Sequence, residues 1–414
     1  MKDDWVEATI GELVEQRLLE KPIDGNHGEI HPKKADFVEE GIPFVMASDL
    51  QEGGVNQLTC NKITREQAQT LRKGFSKQDD VLLSHKGTIG RVAILNTDHE
   101  YIVLTPQITY YRITEPNRLF NRFVYYYFQS PFFRRAMKRI ASVGSTRAYI
   151  GITKQLDLPV VYPSFKSQKK IVSILDKAFE GIDKAIAQTE QNLASARELF
   201  ESYLNNIFTQ KGDDWVEKKL GDVCELQNGF AFKSKLFKET GLPVVRISSI
   251  QNGLVCDNRP VFTDPCDYKE DLSKYHVEAE DLLIAMSGAT TGKVGFNRTG
   301  QIYLLNQRVG KFIPSNQLNL YFLYYFLSTR VEENLRISAG SAQPNLSTKQ
   351  IKDFQIPLPP IAKQERIIEE LDNLKEQAKQ LEALYTQKLN DLKELKQSLL
   401  QQAFAGELTK EDAA

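Results

Sequence analysis

Apolar residues recur in alternating steps of four and three along Ile367, Leu371, Leu374, Ala378, Leu381 and Tyr385, and again at Leu392, Leu395 and Leu399. Lys388 and Gln402 fill the two steps that are not apolar, and no glycine or proline interrupts residues 361–405. A seam sustained over so many heptads predicts a coiled-coil helix. At ~1.5 Å per residue it is on the order of 60 Å long. Pro357, Pro359 and Pro360 keep helix from running into it, and Gly406 is placed to cap its end.

The same pattern occurs earlier. A shift of 196 puts Gln168 on Gln364, Asp176 on Asp372 and Phe208 on Phe404. The first seam is Ile171, Leu175, Ala178, Ile182, Ala185, Thr189, Ala196, Leu199 and Tyr203, with Asn192 and Asn206 at the places of Lys388 and Gln402. Polar residues at seam positions predict a fixed register. Gly181 and the alanines predict close packing against a bulkier partner helix.

The repeat extends through nearly the whole chain. DDWVEATIGELVE at Asp3 matches DDWVEKKLGDVCE at Asp213, and GIPFVMASDLQEGGV at Gly41 matches GLPVVRISSIQNGLV at Gly241. DDVLLSHKGTIGRVAIL at Asp79 matches EDLLIAMSGATTGKVGF at Glu280. A period near 200 is too long for a solenoid and means two copies of one domain. Within each copy, β-branched and aromatic runs such as PFVMAS, DVLLS, RVAIL and QITYYRI predict strands between Gly, Asn and Asp turns. Phe120 to Ile140 and Leu318 to Ile337 predict helices with buried aromatic faces. The expected fold is α+β: two tandem pseudo-repeat domains held apart by two long helices packed as an antiparallel coiled coil. The expected boundaries are 1–162 and 212–360 for the domains, 163–211 and 361–408 for the helices, and 409–414 for a tail.

Composition adds little: 26% charged and 41% hydrophobic residues are those of a globular chain. MKDDWVEATIGEL has neither a basic leader nor a long apolar run, and no stretch approaches the ~20 apolar residues of a membrane helix. Cys60, Cys224, Cys256 and Cys266 show no paired spacing, so reduced thiols and a cytoplasmic location are expected.

Net charge is -1, but its distribution is uneven. Residues 116–156 contain no acid and hold Arg118, Arg122, Arg134, Arg135, Lys138, Arg139, Arg147 and Lys154. Residues 282–331 contain no acid and hold Lys293, Arg298, Arg308, Lys311 and Arg330. One basic zone per copy suits two contacts with phosphate backbone. The plainer reading is a solvated helix face. Gln107, Tyr110, Tyr111, Ser145, Thr146 and Tyr149 interleave with the first zone, and Asn306, Gln307, Ser341, Gln343 and Asn345 with the second. Arg, Gln and Asn suit base edges, and the same residues also make ordinary turns.

Catalytic signatures are not met. GATTGKV at Gly288 has three residues between its glycines instead of four, and Val294 where a phosphate loop needs Ser or Thr. We read it, with KGTIGRV in the first copy, as a tight loop whose glycines admit a ligand close to backbone. His27-Gly28-Glu29-Ile30-His31 lacks zinc spacing, and no second cysteine follows Pro265-Cys266 at the distance a zinc site needs. There is no Asn-Pro-Pro or Asp-Pro-Pro tetrapeptide, no glycine-rich cofactor fingerprint and no PD…ExK. A non-catalytic chain is expected, with no metal or cofactor of its own.

Two tandem domains, each ending in a Gly-Ser…Pro…Gln segment and a heptad helix, resemble the specificity subunit of type I restriction-modification systems. GSAQPNLSTKQIKDFQIPLPPIAKQERIIEELD is similar to the family's junction of recognition domain and helix. IDGNHGEIHPKKADFVEEGIPFV and ELQNGFAFKSKLFKETGLPVVRISSIQNG resemble openings of its two target recognition domains. The first copy departs from the pattern, with Ala148 at the place of Pro344 and Ser164 at that of Pro360. The resemblance implies that each domain reads half of a split, asymmetric site in double-stranded DNA and that the helices measure the unread gap. It also implies partners. Two methyltransferase subunits would dock on the helices and bind S-adenosylmethionine, and restriction subunits would use ATP and Mg to translocate and cut DNA in phage defence. A ~60 Å rod at ~3.4 Å per base pair bounds the separation at about 18 base pairs.

On this reading phosphate contacts are expected at Lys86, Arg91, Arg134, Arg135, Arg139, Lys293, Arg298 and Lys311. Base contacts are expected at Arg147, Tyr149, Arg308, Gln343 and Asn345. The alternative is a coiled-coil assembly scaffold whose repeat domains bind protein.

Overall fold

Each heptad segment is one uninterrupted helix, Phe165–Thr209 and Ile361–Phe404, in a computed structural model that describes residues 5–28, 30–51, 53–141, 149–256, 259–331, 333 and 345–408. The two helices start at equivalent residues, and the Ser164 carbonyl accepts from the Gln168 amide at 2.9 Å as the Pro360 carbonyl does from Gln364. The Pro360 carbonyl accepts from the Lys363 and Gln364 amides at 2.8 and 3.1 Å. In the first copy the Ser164 hydroxyl accepts from the Ser167 amide at 3.4 Å, so a serine cap stands where the second copy has proline.

The chain divides into two compact units, the described parts of Met1–Glu190 with Gln387–Ala414, and those of Gln191–Thr386. Each unit therefore combines one α+β domain, the start of the helix that follows it and the end of the other helix. In the first unit Lys396 pairs with Asp183, its ammonium lies 5.2 Å from the Phe179 ring, and Leu392 lines a groove with Ala178, Gly181 and Ala185. Numbers fall on one helix as they rise on the other, so the two segments run antiparallel. In the second unit Arg197 pairs with Glu382 at 3.2 Å and Tyr203 reaches Glu370 at 3.5 Å, again antiparallel.

The seam departs from the heptad toward the helix ends. Ile171, Leu175 and Ile182, and Ile367, Leu371 and Ala378, are buried as expected. Leu199, Tyr203 and Leu395 are instead exposed, while Leu204, Phe208, Leu400, Ala403 and Phe404 turn inward. A 3.6-residue helix drifts against a 3.5-residue repeat, and these ends pack on domain aromatics as well as on a neighbouring helix. Lys388, Gln402 and Asn206 lie outside, so they are not buried register pins. A side chain at Gly181 would meet nothing within 4 Å, so the small residues there border an open groove.

The domains repeat each other strand by strand. In the first, Asn61–Ile63, Ile42–Val45, Ile102–Leu104 and Phe75–Ser76 form one four-stranded sheet, and Ile23–Asp24, Ile108–Tyr111, Val81–Ser84 and Val92–Ile94 another. In the second, Phe262–Thr263, Leu242–Val245, Tyr303–Leu305 and His276–Val277 correspond to the former. Cys224–Asn228, Val309–Pro314, Leu282–Ala285 and Val294–Phe296 correspond to the latter, extended there by two further strands. An antiparallel ribbon closes each domain: Val6–Thr9 on Pro159–Tyr162, and Val216–Lys219 on Gln355–Leu358.

The span expected as one helix from Phe120 to Ile140 is two, Asn121–Gln129 and Pro131–Ile140. Pro131 drives Ser130 to extended backbone, and the Ser130 hydroxyl caps the second helix through the Phe133 amide at 3.2 Å. The second copy has Leu320–Ser328; residues 332 and 334–337 of the expected span lie outside those described. These aromatic helices fill the two main cores, Phe123, Tyr126, Tyr127 and Phe128 in one and Phe322, Tyr325 and Phe326 in the other.

Candidate nucleic-acid interface

Strands Val81–Ser84 and Val92–Ile94 form a hairpin whose connection is the glycine loop of the first copy. Gly87 and Gly90 adopt φ of 79° and 90°, and a Cβ on either would meet nothing within 4 Å. Left-handed backbone, not crowding, is what requires glycine here. The Gly90 amide donates to the Ser84 carbonyl and the Arg91 amide to the Ser84 hydroxyl, both at 2.9 Å. The tip, Lys86 to Thr88, is left exposed.

Two other segments meet this hairpin. The His85 amide donates to the Gln107 carbonyl at 2.9 Å, and the Ile150 amide to the His85 carbonyl at 3.0 Å. Lys86 and Tyr149 form an isolated antiparallel bridge. The Lys86 ammonium lies 5.9 Å from the centre of the Tyr149 ring, which stands 5.8 Å from the His85 imidazole. His85 is fully buried; its Nδ1 donates to the Ile150 carbonyl at 2.9 Å, while its Nε2 has no partner among the described residues. Burial pushes the His85 pKa below the ordinary histidine value against the opposing pull of that carbonyl and of Asp24.

The second copy builds the same junction from different side chains. The Gly292 amide donates to the Ala285 carbonyl at 2.8 Å, the Met286 amide to the Arg308 carbonyl at 2.9 Å, and the Leu346 amide to the Met286 carbonyl at 2.8 Å. Ser287 bridges Asn345 as Lys86 bridges Tyr149. Around this junction Lys293, Arg308 and Asn345 are exposed.

The structure thus brings Lys86 together with Tyr149, and places Arg308 and Asn345 on the two segments that meet the Met286 hairpin. Arg134, Arg135 and Arg139 form a separate group on the exposed face of Pro131–Ile140, where Phe133 and Met137 are buried and the Arg135 guanidinium lies 5.0 Å from the Phe132 ring. Arg147 and Gln343 lie outside the described residues. Three expected phosphate contacts are engaged internally. Arg91 donates to the Ala47 and Ser48 carbonyls at 3.1 and 3.2 Å. Arg298 faces Glu280 at 3.6 Å and donates to the Tyr321 hydroxyl at 3.2 Å. Lys311 is withdrawn furthest, its side chain 14% exposed with Nζ on the His276 carbonyl at 2.8 Å and on Asp281 at 3.2 Å. Its alternate-residue position in a paired strand carries it back over the sheet.

Residue types alone did not single out His85, or Gln168 and Gln364, whose side-chain amides bond the Arg118 and Phe120 backbone and the Gln317 and Asn319 backbone. The shift of 196 that superimposes the two glutamines was the available signal. Among the described residues no cluster of His, Cys, Asp and Glu is arranged to hold a metal ion, and no helix is long and apolar enough to cross a membrane.

Comparison with known proteins gives a family. Residues 2–193 and 212–393 each match the family model described as type I restriction modification DNA specificity domain. The EcoBI specificity subunit of Escherichia coli is 31% identical over 226 residues, 53% of this chain and 44% of that protein. The MjaVIII specificity subunit of Methanocaldococcus jannaschii is 22% identical over 90% of this chain and 86% of its own length. Among solved structures, a chain from a study of complex assembly and conformational transition in the type I R-M system has a TM-score of 0.75 at 16% identity, covering 98% of this chain and 99% of that one. The HsdS subunit from Thermoanaerobacter tengcongensis has a TM-score of 0.62 at 16% identity, covering 98% of both chains. These likenesses bear on the fold.

Proposed function

The chain belongs to the type I restriction-modification DNA specificity family, and from that premise we propose that its two domains read the two halves of one split, asymmetric DNA site. The observation that carries this reading is the duplicated junction. The same hairpin and bridge recur in both copies, yet the side chains at equivalent places differ: Lys86, Gln107 and Tyr149 in one, a buried Ser287 with exposed Arg308 and Asn345 in the other. One scaffold presenting two sets of side chains suits two unlike half-sites. Lys86, Arg134, Arg135, Arg139 and Lys293 contact phosphate, and Tyr149, Arg308 and Asn345 contact bases. Arg147 and Gln343 are proposed base contacts on sequence grounds alone.

The long helices set the length of unread DNA and dock two methyltransferase subunits. This chain contributes no catalytic group. S-adenosylmethionine, ATP and Mg belong to the partner subunits, and the complex acts in the cytoplasm. The protein-binding scaffold has no support in the comparisons, since both copies match a DNA specificity domain.

The test is genome-wide mapping of adenine methylation in the host with this chain present and deleted. Loss of methylation at a split, asymmetric motif supports the reading and yields the target. An unchanged pattern in a host with an active partner methyltransferase would overturn it.

A further inference from the structure

Each domain is joined to the start of its own helix by an apolar face and by two polar fasteners that recur in both copies. Gln168 is fully buried. Its Oε1 accepts from the Phe120 amide at 2.9 Å, and its Nε2 donates to the Arg118 and Pro163 carbonyls at 3.0 Å. Gln364 is also fully buried: Oε1 accepts from the Asn319 amide at 2.9 Å, and Nε2 donates to the Gln317 and Pro359 carbonyls at 2.8 and 2.9 Å. Each glutamine thus ties the residues that open the aromatic helix to the proline that follows the closing ribbon. About two turns further on, and on the same face, Asp176 accepts from the Tyr126 hydroxyl and the Arg122 guanidinium, both at 2.6 Å. Asp372 accepts from the Tyr325 hydroxyl.

Apolar burial is non-directional and so does not by itself fix an angle. Hydrogen bonds weaken steeply when bent. Two directional fasteners about two turns apart remove the rotation that a single one would leave. A glutamine that both donates and accepts cannot be replaced by leucine, glutamate or lysine without losing part of the set.

We propose that Gln168 with Asp176, and Gln364 with Asp372, are positioning residues for DNA reading. They hold each domain at one angle on its helix and so restrict the number of unread base pairs the protein accepts between half-sites. This rests on the split-site reading above. One added base pair moves the second half-site by about 3.4 Å and turns it by about 34°, so a reader free to swing on its helix would accept the neighbouring spacings.

The experiment uses the whole chain in complex with its methyltransferase subunits, and duplexes carrying the mapped site with the native gap, one base pair fewer and one more. Tyr325→Phe removes a single hydroxyl from Asp372 and leaves the ring in place; Gln364→Glu removes the donor from the glutamine clamp. The expected result is a loss of at least tenfold in discrimination against the altered gaps, with discrimination among half-site bases at the native gap unchanged. A merely structural role would lower the melting temperature and leave the spacing preference intact. That outcome for a folded Tyr325→Phe complex overturns the proposal, whether or not Gln364→Glu folds. A wild-type complex that methylates all three gaps equally would overturn the split-site reading as well.

Discussion

The ring of Phe404 stands 5.3 Å from that of Phe123, edge-on, in the core of the first unit. It lies 5.2 Å from Tyr127 as well. Phe208 repeats this in the second unit, 5.3 Å from Phe322 and 5.5 Å from Phe326. Each long helix therefore ends as an aromatic plug in the core of one domain. Phe404→Ala is expected to cost about 3–5 kcal/mol, as a lower denaturant midpoint for the unit containing Met1–Glu190. Phe208→Ala should act likewise on the other unit. A loss under 1 kcal/mol would mean that these cores close without the helix ends.

Replacing Arg134, Arg135 and Arg139 together by alanine removes three exposed cations from one helix face. Binding should weaken for specific and unrelated duplexes alike. The slope of log affinity against log salt should become shallower by ~0.9 for each phosphate that is no longer neutralised. Titrations at several salt concentrations check this, and an unchanged slope removes the helix from the interface.

Arg308→Ala separates two roles. As a base contact, Arg308 should cost ~1–3 kcal/mol and relax one position of the recognised half-site. As a phosphate contact, its loss should weaken every sequence equally. Comparing methylated motifs from cells carrying each protein distinguishes them.

His85 gives a pH dependence with a definite sign. Its folded pKa lies below the ordinary value of 6.5 because burial disfavours the charged ring. As pH falls through 6.5 the unfolded chain takes up a proton that the folded chain resists, so stability is lost from there down to the folded pKa. His85→Met installs the residue that the second copy carries at this place, Met286. The Ile150 carbonyl keeps a donor, the Gln155 side chain at 3.2 Å. The variant should melt at nearly the same temperature at pH 7.5 and show a smaller drop at pH 5.5 than the parent.

Removing one matched heptad from each long helix shortens each by about 10.5 Å, which corresponds to ~3 base pairs. The gap in the methylated motif should shorten by a comparable amount. An unchanged gap would take the measuring role away from the helices.

The chain's long-range order was readable because it is written twice. Heptad spacing located both helices, and the shift of 196 superimposed Gln168 on Gln364 before either had a role. Local strands at PFVMAS and DVLLS followed from β-branched residues between turns. The break at Ser130–Pro131 was written in the sequence too, in a proline that aromatic periodicity on both sides obscured. What residue type could not say is which cations stay free. Lys311 and Lys293 belong to the same acid-free zone, yet one is held by Asp281 from outside that zone and the other is exposed. Local sequence does not reveal a partner brought by the sheet. Leu395 and Lys396 exchanged their expected places because Asp183 and Phe179 cover the lysine.

The described parts of Met1–Glu190 share a compact unit with those of Gln387–Ala414, so the polypeptide leaves one fold and comes back to it. Joining the two termini through a flexible linker and opening the backbone at the exposed joint near Gly212 would give a circular permutant with the second copy leading. Every sheet and both helix pairings would survive, and the permutant should recognise the same DNA as the parent.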